Sequence, residues 1–209
     1  MVDHDGVDER KRATLRRFAA LGAASPLAKF SDADSNADAS DSDVRDAISG
    51  YLSATPGAHF SKLRDDLQLG TGETQHHVRQ LVEAGTVEVY RDGDYKRLYP
   101  GGEFSTFEKR ALGYLRRETP RGMLVTLLRD PSATASDLAR ELDVSRPTVS
   151  KYAGELESAG LLSREDGYEV ATPESVLMLV VGYADSFDER AAALSREAAD
   201  LVSFDGREA

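Results

Sequence analysis

The chain has 209 residues and a formal net charge of −11, from 26 lysines and arginines against 37 aspartates and glutamates. Its length is enough for two small domains with extensions, and the lack of cysteine excludes disulfides and thiolate metal sites. No large segment is basic, and residues 173–209 are the most acidic. Any binding of an anionic partner would therefore depend on local clusters of cations.

Residues 1–42 are predicted to be an N-terminal extension. The stretch 14–19 faintly resembles a twin-arginine export signal, but the apolar run that follows is short and contains Pro26, so it cannot span a membrane. We therefore expect a cytoplasmic protein with no membrane segment. The stretch from Ser31 to Asp43 is rich in aspartate, serine and alanine, which predicts a disordered linker. The preceding part is interpreted as an amphipathic helix with an inward face of Leu15, Phe18 and Leu21.

A stretch of about 35 residues then occurs twice, 75 positions apart and without a gap. A constant offset across several elements indicates that one tertiary unit was built twice. We place the two copies at 43–102 and 119–172. The clearest matches are Ser61, Leu63, Leu67, Leu81, Ala84 and Gly85 with Ser136, Leu138, Leu142, Leu156, Ala159 and Gly160.

In the first copy, a helix predicted over Thr71–Ala84 is followed by a hairpin. Val87 to Tyr90 and Tyr95 to Tyr99 are rich in strand formers, with a two-residue turn expected at Asp92-Gly93. Strand alternation should place Tyr95, Arg97 and Tyr99 on one face. The sequence therefore predicts an exposed, cationic and aromatic tip that contains Arg91, Lys96 and Arg97.

A connecting helix is predicted over 103–118, with the capping-box spacing of Ser105 and Glu108 at its start. Its apolar stripe should hold the two copies in a fixed position relative to each other. This stripe consists of Phe107, Ala111, Leu112 and Leu115.

The second copy begins with a helix that starts near Pro120 and ends at Asp130-Pro131. A short helix over Ala135–Leu142, a turn, and a third helix over Ser145–Ala159 follow, and Gly160 is placed to terminate the third helix. Its hairpin, from Ser163 to Ala171, is shorter than that of the first copy. The tip is acidic, with Glu165, Asp166 and Glu169.

Residues 173–209 are predicted to form one long C-terminal helix, which begins at Pro173 and extends to about Val202. The part from Val176 to Tyr183 is apolar nearly all round and needs more cover than an ordinary surface helix. Two interpretations remain open. The helix could pack back onto its own domain, or, as we prefer, it could form a homodimer.

The stretch from Leu138 to Lys151 resembles a helix-turn-helix, and Leu156 to Leu162 resembles its exit into a wing. This pattern is similar to winged helix proteins of the MarR and ArsR kind. Gly72 to Leu81, with the basic hairpin after it, resembles archaeal winged helix regulators. The resemblance implies a mainly α fold with small β-hairpin wings: two winged helix-turn-helix domains plus the C-terminal helix. The acidic, lysine-poor composition favours a halophilic archaeal source, where high salt weakens the counterion-release contribution to DNA binding.

This resemblance implies a sequence-specific, double-stranded DNA-binding transcription regulator that reads two half-sites as a homodimer. The outward side chains can form hydrogen bonds with bases and phosphates: Gln75 can pair with adenine, and Arg146 can reach guanine or phosphate. The acidic second wing favours an alternative, a protein-interaction module of the transcription or cell-division machinery. The predicted DNA contacts are Thr74, Gln75, His76, Arg79, Arg91, Tyr95, Lys96, Arg97, Arg146, Thr148, Ser150 and Lys151.

Other chemistries have little support in the sequence. The adjacent His76 and His77 point about 100° apart on a helix, and no acidic residue has ligand spacing to them. No phosphate-binding glycine loop or nucleophile motif is present. We therefore expect no enzyme activity, no metal and no cofactor.

Overall fold

The computed structural model describes residues 13–18, 20 and 36–201. The described chain is mainly helical, with one three-stranded and one two-stranded antiparallel sheet, as predicted. It divides into two compact units, which we call the first unit (Met1–Lys109) and the second unit (Arg110–Ala209).

The first unit has a helix-turn-helix followed by a hairpin. Its sheet has three antiparallel strands, and the last of them along the chain is central. Residues 13–18 form a helical segment, α1. The later elements are α2 (Asn36–Ala54), β1 (Ala58–His59), α3 (Phe60–Leu67), α4 (Thr71–Glu83), β2 (Val87–Asp92) and β3 (Tyr95–Pro100).

The core of the first unit lies between α2, α3, α4 and the sheet. Ile48, Leu52 and Leu63 are fully buried there. Leu15 and Phe18 of α1 are partly buried against this core, which confirms their predicted inward face, whereas Leu21 lies outside the described residues. These two side chains attach α1 to the first unit.

The linker prediction for Ser31–Asp43 is wrong from residue 36 onward, because α2 begins at Asn36. Residues 31–35 lie outside the described part of the chain. Val44, Ile48 and Tyr51 are buried at helical spacing on α2, so burial of this stripe stabilises the helix. The polar residues before Val44 continue that helix by two turns, although their composition alone favours disorder.

The second unit repeats the helix-turn-helix and hairpin and adds two C-terminal helices. The division between the units falls within α5, whose N-terminus has the predicted cap: Ser105 N–H donates to Glu108 Oε2 at 2.7 Å. The elements are α5 (Thr106–Leu115), α6 (Glu118–Arg129), α7 (Ala135–Glu141), α8 (Arg146–Ser158), β4 (Leu162–Ser163), β5 (Glu169–Val170), α9 (Pro173–Gly182), a 3-10 helix (Ala184–Ser186) and α10 (Glu189–Leu201).

The predicted continuous C-terminal helix is interrupted between α9 and α10. Arg116 Nη1 donates to the Ser186 carbonyl at 2.8 Å, and its guanidinium lies 4.4 Å from the centre of the Phe187 ring. Arg121 donates to Asp188 Oδ2 through Nε and Nη2, at 2.8 and 2.7 Å. These contacts, from Arg116 just after α5 and from Arg121 in α6, hold residues 183–188 out of a regular helix.

Because of this break, the C-terminal segment packs onto its own unit, which was one of the two interpretations of the sequence. Ala191 and Leu194 of α10 are fully buried, and α10 packs on α6 and α9. Met178 on α9 remains 71% exposed. Although α9 is strongly apolar, no helix in the described part of the chain is long and apolar enough to cross a membrane.

Candidate nucleic-acid interface

The first recognition helix, α4, is positioned by a tight turn after α3. Gln68 ends α3 in the left-handed conformation, with a φ of 56°, and Gly70 is the N-cap of α4. Glu73 accepts a hydrogen bond from the Gly70 N–H at 3.1 Å. Val78 and Leu81 are buried, so the opposite face of the helix is presented outward.

Three of the four predicted contact residues on α4 are exposed: Gln75, His76 and Arg79. The prediction that Thr74 points outward is wrong. Thr74 is fully buried, and its hydroxyl donates to the Gly70 carbonyl at 2.8 Å. It lies four residues before Val78 and therefore on the buried face of the helix.

A residue that the sequence interpretation missed also lies on the outward face of α4. Val82 is 37% exposed and follows Gln75 and Arg79 at helical spacing, so the three share one face. That spacing was the signal that could have identified it. Its methyl groups can contact a thymine methyl, which widens the chemistry of this surface beyond hydrogen bonding.

The first wing is the hairpin of β2 and β3. Arg91 is opposite Lys96, and Asp92 is opposite Tyr95, so the two-residue turn is Gly93-Asp94, one residue later than predicted. Gly93 has a φ of +57°, which suits such a turn. Arg91, Lys96 and Tyr95 are exposed at this tip, as expected.

The prediction that Arg97 belongs to the exposed tip is wrong. Its side chain is fully buried, Nη1 donates to the Gly57 carbonyl at 3.0 Å, and the guanidinium lies 5.2 Å from the centre of the Tyr95 ring. The side chain packs against the turn at Gly57 that precedes β1, and both faces of β3 are buried from Arg97 to Pro100. Simple alternation of inside and outside therefore does not hold along β3.

Ion pairing separates the cations of the first unit into two groups. Lys62 is bound to Asp66 at 2.7 Å, and Lys109 to Glu88 at 2.8 Å. In contrast, Arg79, Arg91 and Lys96 have no carboxylate within 4.0 Å among the described side chains. All three belong to the first recognition helix or the first wing, while Arg16 and Arg17 of α1 and Arg45 of α2 also have no carboxylate within 4.0 Å among the described side chains.

The second recognition helix, α8, has the predicted cap. Ser145 Oγ accepts a hydrogen bond from the Thr148 N–H at 3.2 Å and lies 2.8 Å from Thr148 Oγ1. Arg146, Ser150 and Lys151 are exposed, while Thr148 is half-buried with its hydroxyl in contact with the cap. Thr148 is thus the least available of the four predicted contacts on this helix.

Carboxylates lie beside most cations near α8. Lys151 Nζ lies 3.8 Å from Glu155 Oε1, and Arg164 of the hairpin is paired with Glu157. Arg140 on α7 is paired with Asp137 at 2.6 Å. Arg146 has no carboxylate within 4.0 Å among the described side chains. The second recognition helix therefore presents less free positive charge than the first recognition helix and first wing together.

The second wing is the β4–β5 hairpin, whose strands have two residues each. Glu165, Asp166 and Glu169 are exposed, and Arg164 is occupied by Glu157. Carboxylates at this tip repel phosphate. The geometry therefore agrees with the expectation that this wing is a poor partner for DNA.

Each unit has a short helix, a turn, an exposed recognition helix and a β-hairpin, which together define the winged helix-turn-helix class. A family model described as an N-terminal HTH domain matches residues 42–112, and one described as winged helix-turn-helix DNA-binding matches residues 116–163. The chain carries two helix-turn-helix domains in tandem, as predicted. No curated protein and no solved structure matches it. The MarR or ArsR kind and the haloarchaeal source remain predictions.

Proposed function

We propose that this chain is a cytoplasmic transcription regulator that binds specific double-stranded DNA sequences mainly through its first unit. The first recognition helix enters the major groove, and Arg91 and Lys96 of the first wing contact phosphates beside it. This use of a helix for bases and of a wing for the backbone follows the general division between specifying and positioning contacts.

The observation that carries this proposal is the distribution of free cations. Carboxylates outnumber cations in the chain, and most described lysines and arginines are bound to a carboxylate or a backbone carbonyl. Arg79, Arg91 and Lys96 are exceptions that lie on the recognition helix and the wing, whereas the other exceptions are spread over α1 (Arg16 and Arg17), α2 (Arg45) and α8 (Arg146). Positive charge left without a partner in an acidic protein favours an anionic ligand at that surface.

Base readout is assigned to the exposed residues of α4. Gln75 can form a bidentate pair with adenine, and Arg79 with guanine. His76 lies on the same exposed surface and can donate to a base or to phosphate. In the second unit, Arg146 and Ser150 provide a smaller set of contacts of the same kind.

A second candidate function is supported by the charges of the second wing and of the surroundings of α8. Its exposed carboxylates and the paired cations around α8 favour a protein partner for the second unit. This would make the chain a regulator that binds DNA with one domain and another protein with the other.

We also propose that two copies associate through α9. The apolar stripe of α10 is buried within the second unit and is not available for this contact. Met178 is exposed, with the half-buried Leu177 and Val181 beside it on the helix. A dimer would supply two copies of each recognition helix, as two half-sites require.

The test is selection of binding sequences from random DNA, followed by fluorescence anisotropy in molar KCl. Arg91→Ala/Lys96→Ala should weaken binding of every sequence and reduce the salt slope by about 1 for each lost phosphate contact. Arg79→Ala should weaken specific DNA and relax the preference at one position.

Arg190→Ala/Arg196→Ala is the matched control, because it removes two cations that are paired with glutamates on another surface. Its DNA affinity should equal that of the wild type. Equal affinity for all these variants would overturn the proposal, and so would failure of any sequence to be enriched.

A further inference from the structure

The two units differ at the edge of the wing. In the first unit, β1 pairs with β3, with Ala58 opposite Leu98, and the Gly57 N–H donates to the Leu98 carbonyl at 2.8 Å. In the second unit, the sheet consists of β4 and β5 alone. The strand that covers the first wing has no counterpart among the described residues of the second unit.

The repeat identifies the residues that would form the missing strand. Gly101 N–H donates to the Thr86 carbonyl, and Ala171 N–H donates to the Leu161 carbonyl, so these bonds are equivalent. Counting back three residues from Ala171 places Tyr168 at the position of Leu98. The offset of 75 places residues 132–134 at the positions of Gly57, Ala58 and His59.

Residues 132–134 use their backbone donors locally. Ser132 N–H and Oγ both donate to Asp130 Oδ1, at 3.0 and 2.6 Å, and Ala133 N–H donates to the Asp130 carbonyl at 3.1 Å. Thr134 N–H donates to Asp137 Oδ2 at 3.1 Å in the capping box of α7. The segment is therefore held as a turn and cannot also donate to the second wing.

The identity of residue 132 favours the same outcome. Its counterpart, Gly57, has a φ of +79°, and a Cβ atom there would lie 2.9 Å from Tyr99 Oη. Serine cannot readily adopt that conformation. The first unit thus depends on a glycine to bring β1 against the sheet, and the second unit lacks it.

An open depression of about 490 Å³ occupies the corresponding place in the second unit. One side is the turn 131–135, and the other is the edge of the second wing, with Arg164 and residues 166–169. The depression lies where the first unit has β1. Unpaired backbone at an accessible sheet edge is a template for another strand.

The charge of this edge indicates the kind of strand that fits. Glu165, Asp166 and Glu169 are exposed and form no ion pair within the described residues, while Arg164 is bound to Glu157. An extended segment with lysine or arginine would be attracted, and an acidic one would be repelled.

We propose that the second wing binds an extended, basic segment of a partner protein, which adds to the β4–β5 hairpin as its third strand. The segment lies between residues 131–135 and 166–169, its backbone pairs with the open edge, and its cations face Asp166 and Glu169. This is recognition by strand addition. It does not depend on DNA binding by the first unit.

The test uses the full chain and a fluorescein-labelled peptide of about eight residues, an ordinary strand length, in which lysine and valine alternate. A second peptide has the same sequence and charge but is N-methylated at every backbone nitrogen, so that neither of its edges can donate hydrogen bonds. Loss of two or more such bonds should weaken binding at least roughly tenfold. Asp166→Lys/Glu169→Lys should weaken binding of the parent peptide by a similar factor.

Glu174→Lys/Asp185→Lys is the matched control, because both carboxylates are exposed outside the second wing. This variant should bind like the wild type. Amide chemical shifts in the complex should change at residues 132–135 and 164–170. Equal binding of the N-methylated peptide would show attraction by charge alone and overturn the proposal, as would no binding of the parent peptide or shifts confined to α8.

Discussion

Arg91 and Lys96 lie directly opposite each other in the first wing, so one cross-strand pair carries two positive charges. Like charges at such a position destabilise a hairpin, by about 0.2–1 kcal/mol. No described carboxylate lies within ion-pair distance of either side chain. The pair therefore opposes folding, and an anionic ligand between or beside the two side chains would relieve the repulsion.

Lys96→Glu should consequently raise the stability of the first wing and lower the affinity for DNA. A carboxylate opposite Arg91 replaces repulsion with attraction, so we expect the hairpin to gain about 0.5 kcal/mol at low salt. DNA affinity should fall, because one phosphate contact is lost and a repulsive charge is added. Urea denaturation and fluorescence anisotropy measure the two effects. Lys96→Gln is the control that removes only the repulsion, and unchanged DNA affinity of Lys96→Glu would contradict the prediction.

Arg97→Ala should lower the stability of the first unit but affect DNA affinity less than Arg91→Ala does. Truncation leaves the Gly57 carbonyl without the Arg97 donor, so we expect a loss of about 1–3 kcal/mol in stability of the first unit. The folded protein should bind DNA better than Arg91→Ala does. Hydrogen exchange of peptides from β1 and β3 measures the first effect, and anisotropy measures the second. If Arg97→Ala lost as much DNA affinity as Arg91→Ala and its hydrogen exchange did not change, Arg97 would have to be a DNA contact after all.

The cap of α7 should produce a pH dependence in the acid range. The Thr134 hydroxyl is the largest cause that lowers the pKa of Asp137 from 3.8 to about 2, followed by the Thr134 N–H and Arg140. Because the folded-state pKa is depressed, the stabilisation is complete above the unfolded value and is lost as the pH falls through the folded value.

The wild type should therefore exceed Asp137→Asn in stability at neutral pH, and the difference should shrink between about pH 4 and pH 2. Denaturation midpoints across this range measure it. A difference between the two proteins that does not change with pH would contradict the ionised cap. Thr134→Ala tests the hydroxyl separately and should cost about 1 kcal/mol.

Association through α9 predicts that Met178→Glu converts a dimer into a monomer. A charge in the centre of an apolar contact is costly to desolvate. Light scattering coupled to size-exclusion chromatography in molar KCl measures the mass of each species. Met178→Leu is the matched control and should remain dimeric. A monomeric wild type, or a dimeric Met178→Glu, would contradict association through this surface.

Much of each helix-turn-helix could be predicted because its signals are local in sequence. Ser105 caps α5, Ser145 caps α8, and Gly160 has a φ of +71° just after α8, as its position in the sequence indicated. A cap or a terminating glycine acts within a few residues, so one short window contains both partners. The repeat added independent support, because the same elements were predicted twice.

The errors arose where distant residues decide the outcome. Arg97 is buried because its guanidinium binds the Gly57 carbonyl, 40 residues earlier in the chain. The C-terminal helix is broken by contacts from Arg116 and Arg121, which are separated from their partners by 70 and 67 residues. Periodicity within a window carries no information about such contacts. Consequently, the exposure of most candidate contact residues was predictable, but the burial of individual cations was not.

Asp130 gives the duplication a further meaning. The first copy has Thr55 at this position, and only the second copy has a carboxylate there to retain the following turn. A few side chains next to one short segment thus determine whether a domain completes its own sheet or leaves an edge open to a strand from another protein. In a tandem repeat, such small local differences are enough for the two copies to bind different kinds of partner.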